Sequence, residues 1–580
     1  VRRGAASATP LPHSAALPQH PATPFAAPAR ALVAAPPHSS VVLRSVLLPM
    51  AGCVAQDPAS RPAVTGPLFP SASVQVCNTR FRIEKLLSQG SFGDVWVAQR
   101  LAEDGSEERS EVGVVIKEIV CKNLAALRAA EFEGDILGRC GNFGCGGEED
   151  PAAVRLPMLV SQESAVAGQD IWRVRLAMAH IPGEPLDDFL ERKQREVSAA
   201  FSGASHRAHQ LQQFAEAIVF TQELLLQVAA GMESVSAHAF HRDIHPRNML
   251  VEERPGSLPR FGLVDFGLAV GASEWRTGQW RARGVAGDCR CWPPSAWVYF
   301  ADGEEEVLDE KPPLRMEYEE RLDSHAVALT ALEVLAKLSP PATPEATVAD
   351  ARLASLWRVK RAWEDYWTHA ARFWRVVFGA YSTGGNIEEL KAACLEVGVH
   401  GIVQQSLCNM HEALRDASRA SSGSVASALA PEMTGSPCAG EALADGVDGD
   451  QAGLVLSSLA SLLSCGDRQA EPASSWKDLR QTLGAARARR PSVGRPGPSP
   501  RREVGSQPCL VELPPTTLWS ARQPRLSGPG AAKLSAESPA RLADESALPE
   551  EVRRELAALR QRVSALEAAA AASPAPPPPA

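Results

Sequence analysis

Two carboxylates and an amide in the middle of the chain have the types and spacing that phosphoryl transfer uses. Asp243 and Asn248 are five positions apart, and Asp265 follows Asn248 by seventeen positions. Phosphoryl transfer needs little covalent help from a protein. It needs a cradle for the nucleotide phosphates, cations that neutralise them, and a carboxylate that orients the hydroxyl nucleophile. We therefore expect Asp243 to orient a hydroxyl and Asn248 and Asp265 to hold Mg²⁺.

A glycine-containing turn and a lysine precede these residues and could hold a nucleotide. The run Ser88–Val95 lies between two predicted strands, where backbone N–H groups can approach a phosphate only if side chains are absent. An ordinary hairpin turn is the alternative. Lys117 lies on a third apolar strand, twenty-four positions after Gly93, and supplies a cation. The predicted cofactors are ATP and Mg²⁺.

These runs occur in one order and resemble the motifs of the eukaryotic protein kinase family. Ser88–Val95 resembles its Gly-rich loop, with Ser88 at the usual first glycine. Val114–Lys117 resembles the motif whose lysine holds the α and β phosphates. His241–Asn248 resembles the catalytic loop, and Asp265–Gly267 resembles the metal-binding motif. The resemblance covers residues 78–338 well and residues 350–484 only by helical pattern.

The resemblance implies a role for each matching residue. Glu133 falls where the family places the partner of the lysine, with Glu131 as the competing choice. Asp323 begins a helix whose leading Asp braces the catalytic loop. The predicted catalytic residues are Lys117, Asp243, His245 and Asn248; the nucleotide-binding residues are Gly90, Ser91, Phe92, Gly93, Val95, Lys117, Glu133, Met178, Ala179, Ile181 and Asp265; the metal ligands are Asn248 and Asp265.

The sequence also departs from the family. His245 replaces the lysine that Ser/Thr kinases carry two residues after the catalytic Asp, and similar loops occur in the aminoglycoside and choline kinases. Gly287–Ser295 aligns with the end of the activation segment, here residues 265–295, but lacks the closing Glu that anchors it. We expect the acidic stretch that follows to be a solvated loop, with a docking site for basic substrates as the alternative.

A paired substitution near the predicted site gives a further expectation. The family carries Lys and Thr at the positions of His245 and Asp288. We predict a charge-assisted hydrogen bond between these two side chains, which would raise the pKa of His245 so that an imidazolium replaces the missing ammonium. The alternative is two unrelated substitutions.

Three functions compete on these observations. The first is an active protein kinase with a protein substrate, and Pro246 and Asn248 favour Ser/Thr over Tyr. The second is a small-molecule kinase of the aminoglycoside or choline type, which His245 favours. The third is a pseudokinase scaffold, which the substituted Ser88, His245 and Ser295 favour.

Apolar periodicity predicts the elements that position the site. Strands are predicted at Phe81–Leu87, Val95–Ala98 and Val112–Val120, followed by a helix at Leu124–Leu137 and a core helix at Phe214–His238. Strands first and helices afterwards indicate an α+β protein. We expect a two-lobed, protein-kinase-like fold with a small β-rich N-terminal lobe, a larger helical C-terminal lobe and disordered tails.

Composition sets the predicted domain limits. The 580 residues include 46 Pro and 43 Gly, concentrated in stretches too poor in apolar side chains to fold. The predicted segments are a disordered leader at 1–77; a kinase domain at 78–484 with insertions near 139–152, 193–211, 299–320 and 421–452; a disordered linker at 485–547; a short helix at 548–572; and a tail at 573–580. Residues 552–566 repeat in heptad steps, so weak self-association and a lone helix both remain open.

Charge and cysteine spacing bound the partners. A net charge of −9 gives no reason to expect nucleic acid, and no apolar run is long enough to suggest a membrane span. The 12 Cys lack the spacing of a zinc site and indicate reduced thiols. We expect a cytoplasmic or nuclear protein. The first acid is Asp57, so an organelle transit peptide is the alternative reading of the leader.

Overall fold

The computed structural model covers most of the chain between residues 66 and 488. The described residues are 66–90, 93–102, 106, 113–142, 153–200, 207–254, 257–302, 306–341, 351–383, 387–422, 449–466 and 474–488.

The strands form one large and two small antiparallel sheets. Six strands are neighbours in the order β1-β2-β3-β4-β6-β5, three in the order β10-β9-β7, and β11 pairs with β8. The strands are β1 (Ser73–Val76), β2 (Thr79–Gly90), β3 (Gly93–Leu101), β4 (Val114–Cys121), β5 (Leu159–Gly168), β6 (Ile171–Ala179), β7 (Glu184–Pro185), β8 (Ala239–Phe240), β9 (Met249–Glu252), β10 (Arg260–Leu263) and β11 (Val270–Gly271).

The longer helices follow the large sheet, apart from one inserted within it. They are α1 (Leu124–Asn142), α2 (Leu186–Ala200), α3 (Arg207–Val235), α4 (Pro294–Asp302), α5 (Pro312–Glu320), α6 (Leu322–Leu338), α7 (Ala351–Thr383), α8 (Ile387–Val397), α9 (Val399–Ser422), α10 (Gly449–Leu462) and α11 (Trp476–Ala488). The predicted α+β fold, with a small β-rich lobe first and a larger helical lobe after it, is confirmed.

The large sheet has an apolar cluster on one face and α1 on the other. Alternate side chains of neighbouring strands, among them Val76, Phe81, Ile83 and Ile116, form the cluster. The opposite face contacts α1 through β4, β5 and β6. β4 is therefore covered on both sides, and its first five residues, Val114–Glu118, are all buried. This burial fixes the position of Lys117.

α3 lies at the centre of the helical lobe. In the described part of the chain it is the helix that is long and apolar enough to span a membrane, over Gln210–Val235, yet 72% of that window is buried inside the protein. It packs against α6 and α11. Its apolar surface belongs to the core, as the stripe from Phe214 indicates.

The structure corrects two predicted limits. Residues 73–76, assigned to the leader, form β1, because Val74 and Val76 alternate into the core and the strand pairs with β2. α11 continues to Ala488, beyond the predicted end of the domain. The insertion at 193–211 is in part helical, within α2 and α3. Residues 143–152, 423–448 and 489–580 lie outside the described residues, as do the predicted short helix and heptads.

The acidic stretch after the activation segment is in part helical, and its described part is not the solvated loop that we expected. Residues 306–309 form a short helix in which Val307 and Leu308 are buried, although the acids Glu306 and Asp309 are exposed. α4 and α5 lie on either side, and Trp297, Tyr299 and Phe300 of α4 are buried. Leu314 and Tyr318 give α5 a buried side as well. The apolar residues recur at helical spacing between the acids, so each helix has a face directed at the core.

A buried carboxylate anchors the end of the activation segment. Glu317 of α5, 4% exposed, accepts hydrogen bonds from the backbone N–H of Ser295 at 2.8 Å and of Gly466 at 2.7 Å. One turn further on, Arg321 donates to the carbonyl of Ser461 in α10 at 2.8 Å. Glu317 thus ties the segment to the C-terminal helices, although Ser295 stands where the family carries its anchoring Glu.

Replacing Glu317 should loosen this tie. Glu317→Ala leaves two buried N–H groups without an acceptor, so we expect the free energy of unfolding to fall by about 2 to 4 kcal/mol. Glu317→Gln keeps one acceptor oxygen and should lose less. Differential scanning calorimetry of the full chain measures the difference. Equal melting temperatures for wild type and Glu317→Ala would rule out the tie.

Candidate active site

Lys117 connects three separate elements in the cleft beside the large sheet. Its Nζ lies 2.7 and 2.9 Å from the carboxylate oxygens of Glu133 on α1, and 2.7 Å from Oδ1 of Asp265. Lys117 and Glu133 are both buried, whereas a third of the Asp265 side chain is exposed. The structure therefore pairs Lys117 with Glu133 rather than with Glu131.

The charges of Lys117 and Asp265 stabilise each other, whereas burial and the charge of Asp265 raise the pKa of Glu133 against the effect of Lys117. Burial opposes the positive charge of Lys117, but the carboxylates of Glu133 and Asp265 outweigh it and raise the pKa of the lysine. Burial also acts against the charge of Asp265, yet Lys117 and the N–H of Gly267 lower its pKa. Lys117 is thus held as a cation and Asp265 as an anion, which phosphate and metal binding require.

Asp265 has a backbone conformation that L-residues rarely adopt. Its φ is 64°, and that of Arg242 in the catalytic loop is 67°. Such conformations cost of order 1–3 kcal/mol each and persist only where the surroundings fix them. At Arg242 the surroundings are supplied by Asp323 of α6. The two carboxylate oxygens of Asp323 accept the N–H groups of His241 and Arg242, both at 2.8 Å. Asp323 thus contacts the backbone of the catalytic loop, as the role that the resemblance implied for it requires.

Asp243 is held from two sides. The side-chain amide nitrogen of Asn248 donates to Oδ2 of Asp243 at 3.0 Å and to its backbone carbonyl at 2.9 Å. The backbone N–H of Asp288, from the activation segment, donates to Oδ1 at 3.0 Å. The carboxylate therefore has a set orientation in the cleft.

Gly287 makes the second of these contacts sterically feasible. A Cβ atom at Gly287 would lie 2.2 Å from the carbonyl oxygen of Arg242, and the φ of Gly287 is 85°. Only glycine allows the activation segment to come this close to the catalytic loop. No motif in the sequence singles out this residue.

His245 faces Asp243 and not Asp288, so the predicted pair is wrong. Its Nε2 lies 3.5 Å from Oδ1 of Asp243, and its Nδ1 accepts the N–H of Arg247 at 3.2 Å. Asp288 instead forms a bidentate ion pair with Arg290. Burial lowers the pKa of His245, but the hydrogen bond and the charge of Asp243 outweigh it and raise the pKa. Asp288 adds to this at longer range.

The predicted nucleotide-binding residues line the same region in part. Gly90 pairs with Gly93 at the tip of the β2–β3 hairpin, and Val95 pairs with Lys117. Ser91 and Phe92 lie outside the described residues. Met178 and Ala179 end β6, where Met178 pairs with Val115 and with Leu159 of β5; Ile181 follows and is buried.

The donor atoms around Asp265 suit Mg²⁺. Mg²⁺ sites of this kind use one or two protein ligands together with phosphate and water oxygens. The side-chain nitrogen of Asn248 already donates to Asp243, so its carbonyl oxygen is the atom left for a cation. The described residues hold no cluster of three or more His, Cys, Asp or Glu that could bind a metal without such help. Asn248 and Asp265 would hold the cation, whose charge would neutralise the phosphates.

Comparison with known proteins agrees with this chemistry. Residues 139–271, which run from the end of α1 to β11, match the phosphotransferase enzyme family APH. The chain resembles the kinase-like phosphotransferases. The match covers less than a quarter of the chain but includes Asp243, Asn248 and Asp265. A phosphotransferase of this kind uses ATP.

Other comparisons are distant. No curated protein matches the sequence. Among solved structures, the crystal structure of the BubR1 kinase domain matches with 14% identity and a TM-score of 0.29. The match covers 47% of this chain and 66% of that chain, slightly less than two thirds of its length.

Removing any of three side chains should stop phosphotransfer. Lys117→Met removes the predicted phosphate-binding cation, Asp265→Ala removes a predicted metal ligand, and Asp243→Asn removes the carboxylate that we expect to orient the hydroxyl. We expect kcat to fall at least about 1000-fold in each. Transfer from radiolabelled ATP measures the loss, and circular dichroism checks the fold. Near-normal transfer by all three variants would show that these residues do not form the active site.

His245 should make the rate depend on pH. Its pKa is raised, so the imidazolium is present below that pKa and is lost as pH rises through it. We expect kcat to fall as pH rises from about 6.5, the ordinary pKa of histidine, into the alkaline range. His245→Lys keeps its charge throughout this range and should flatten the profile. Identical profiles for wild type and His245→Lys would show that the imidazolium has no part in the reaction.

Proposed function

We propose that the protein is an ATP- and Mg²⁺-dependent protein kinase that transfers the γ-phosphoryl group to a Ser or Thr hydroxyl. The observation that carries the proposal is the orientation of the Asp243 carboxylate. Asn248 and the N–H of Asp288 fix it at 3.0 Å each. In the same domain Lys117 lies between Glu133 and Asp265.

The division of roles follows from the chemistry of each group. Lys117 is a buried cation with a raised pKa and would position the α and β phosphates. Asp265 and Asn248 would hold Mg²⁺, whose charge would neutralise the phosphates. Asp243 would accept a hydrogen bond from the incoming hydroxyl and align it with the γ phosphate, which is the main demand of the reaction.

The packing of the activation segment supports a protein substrate. Trp275, Trp280 and Trp292 of the activation segment are all buried, and Trp297 of α4 continues the same core. The segment is thereby fastened to the helical lobe in a set shape. A preformed surface of this kind suits a polypeptide that must present one hydroxyl to the carboxylate. The Ser/Thr preference rests on Pro246 and Asn248.

A small-molecule phosphotransferase is the second candidate. The matched family is a general phosphotransferase family, and the matched residues include the catalytic loop with His245. Under this hypothesis the acceptor is an alcohol on a compound such as an amino sugar or choline. The same catalytic groups would serve both reactions, so the acceptor must be tested directly.

The substrate class can be decided with one set of acceptors. We expect purified full-length protein with Mg-ATP to phosphorylate itself or a protein pool on Ser and Thr, as read by mass spectrometry. We expect no transfer to a panel of amino sugars and choline, read by the consumption of ATP. Asp243→Asn is the control for contaminating kinases. Transfer to an amino sugar or choline alone would favour the second candidate, and ATP binding without transfer would favour a pseudokinase.

A further inference from the structure

Arg290 of the activation segment lies between two tryptophans of α7. Its guanidinium carbon is 5.2 Å from the ring centroid of Trp367 and 4.7 Å from that of Trp374. A guanidinium is attracted to the electron-rich face of an aromatic ring, and the attraction strengthens when water is excluded. The two rings restrict the plane in which the guanidinium can lie.

The same guanidinium holds Asp288. Nε of Arg290 lies 3.0 Å from each carboxylate oxygen of Asp288, and a terminal nitrogen also donates to Oδ2. The side chains are 19% and 10% exposed, so water screens the pair little. A planar guanidinium satisfies this bidentate geometry and the ring contacts together, which an ammonium cannot do.

Asp288 transmits this position to the catalytic carboxylate. Its side chain accepts the N–H of Arg290 at 2.9 Å and caps the short turn Cys289–Cys291, while its own N–H donates to Oδ1 of Asp243. Tyr366 of α7 fastens the turn from the other side by donating to the carbonyl of Arg290 at 2.5 Å.

The charge of Asp288 makes its partner necessary. Asp288 contacts Asp243 through its backbone N–H, so its own carboxylate is close to that of Asp243. Without a neighbouring cation, the Asp288 carboxylate would repel the Asp243 carboxylate and incoming phosphates. Arg290 supplies the cation, and together with His245 it lowers the pKa of Asp288 against the effect of burial.

We propose that Arg290, clamped by Trp367 and Trp374, is a positioning residue through which helix α7 sets the orientation of Asp243. The inference rests on the proposed function, since it assigns Asp243 to the acceptor hydroxyl. The chain of contacts runs from the two rings to Arg290, to Asp288 and to Oδ1 of Asp243. No other arginine in the described residues combines these contacts with a link to Asp243.

Two kinds of variant break the clamp, and one double variant with Phe in place of both tryptophans keeps it. Arg290→Lys retains the charge but not the planar geometry. Trp367→Leu combined with Trp374→Leu removes the ring faces, whereas Phe at both positions retains them. Arg281→Lys is the control, because Arg281 also stacks on a tryptophan, Trp280, at 4.4 Å and pairs with an acid, Asp309, at 2.6 Å, without a bond to Asp288 or Asp243.

The first measurement is steady-state phosphotransfer from Mg-ATP to dephosphorylated casein, a hydroxyl-bearing probe. We expect Arg290→Lys and the double Leu variant to lose about 10- to 100-fold in kcat with the KM for ATP nearly unchanged, because the nucleotide site is intact and the hydroxyl is misaligned. The double Phe variant and Arg281→Lys should stay close to wild type. A rise in the KM for ATP, or an equal loss in Arg281→Lys, would overturn the proposal.

The second measurement does not depend on activity. Amide hydrogen exchange of the full chain, resolved to the N–H of Asp288, should be about tenfold or more faster in Arg290→Lys and the double Leu variant than in wild type. If wild type shows no transfer to any acceptor but exchange responds as expected, the proposed function fails and the clamp stands. Unchanged exchange at Asp288 in both variants would overturn the clamp, whatever the activity.

Discussion

The buried cation of Lys117 is the interaction on which the geometry of the site depends. Three chain segments far apart in sequence, namely β4, α1 and the residues after β10, each place one charged group at this point. A lysine so deeply buried would be costly without compensation, and without it the carboxylates of Glu133 and Asp265 would repel each other. Lys117 thus joins the large sheet, α1 and the residues after β10 at one point.

Much of this site could be predicted from sequence because its signals are local. Lys117 directly follows the apolar residues Val114–Ile116 within one strand, and Asp243 and Asn248 stand five apart on one loop. Residues so close in sequence remain close together in the folded protein. The same holds for the strands and the core helix, whose apolar periods follow from the geometry of a pleated strand and a helix turn.

Other parts could not be predicted because their partners are distant or their signals are mixed. The anchor at Glu317 depends on Gly466, which is 149 positions away. The pairing of Asp288 with Arg290 in place of His245 depends on a short turn whose direction is set by α7, which no motif reveals. In the stretch of α4 and α5, many acids lie between Trp297, Leu314 and Tyr318, and the apolar pattern indicated burial more reliably than the charge did.

The tie through Glu317 also has a consequence for the order of events during synthesis. Every residue named in the cleft, from Gly90 to Asp288, leaves the ribosome well before Gly466. At about 5 to 20 residues per second, the 149 positions between Glu317 and Gly466 take roughly 7 to 30 seconds to translate. During that interval the end of the activation segment lacks its C-terminal partner. A nascent chain therefore contains the chemical groups of the site before it can hold them in place.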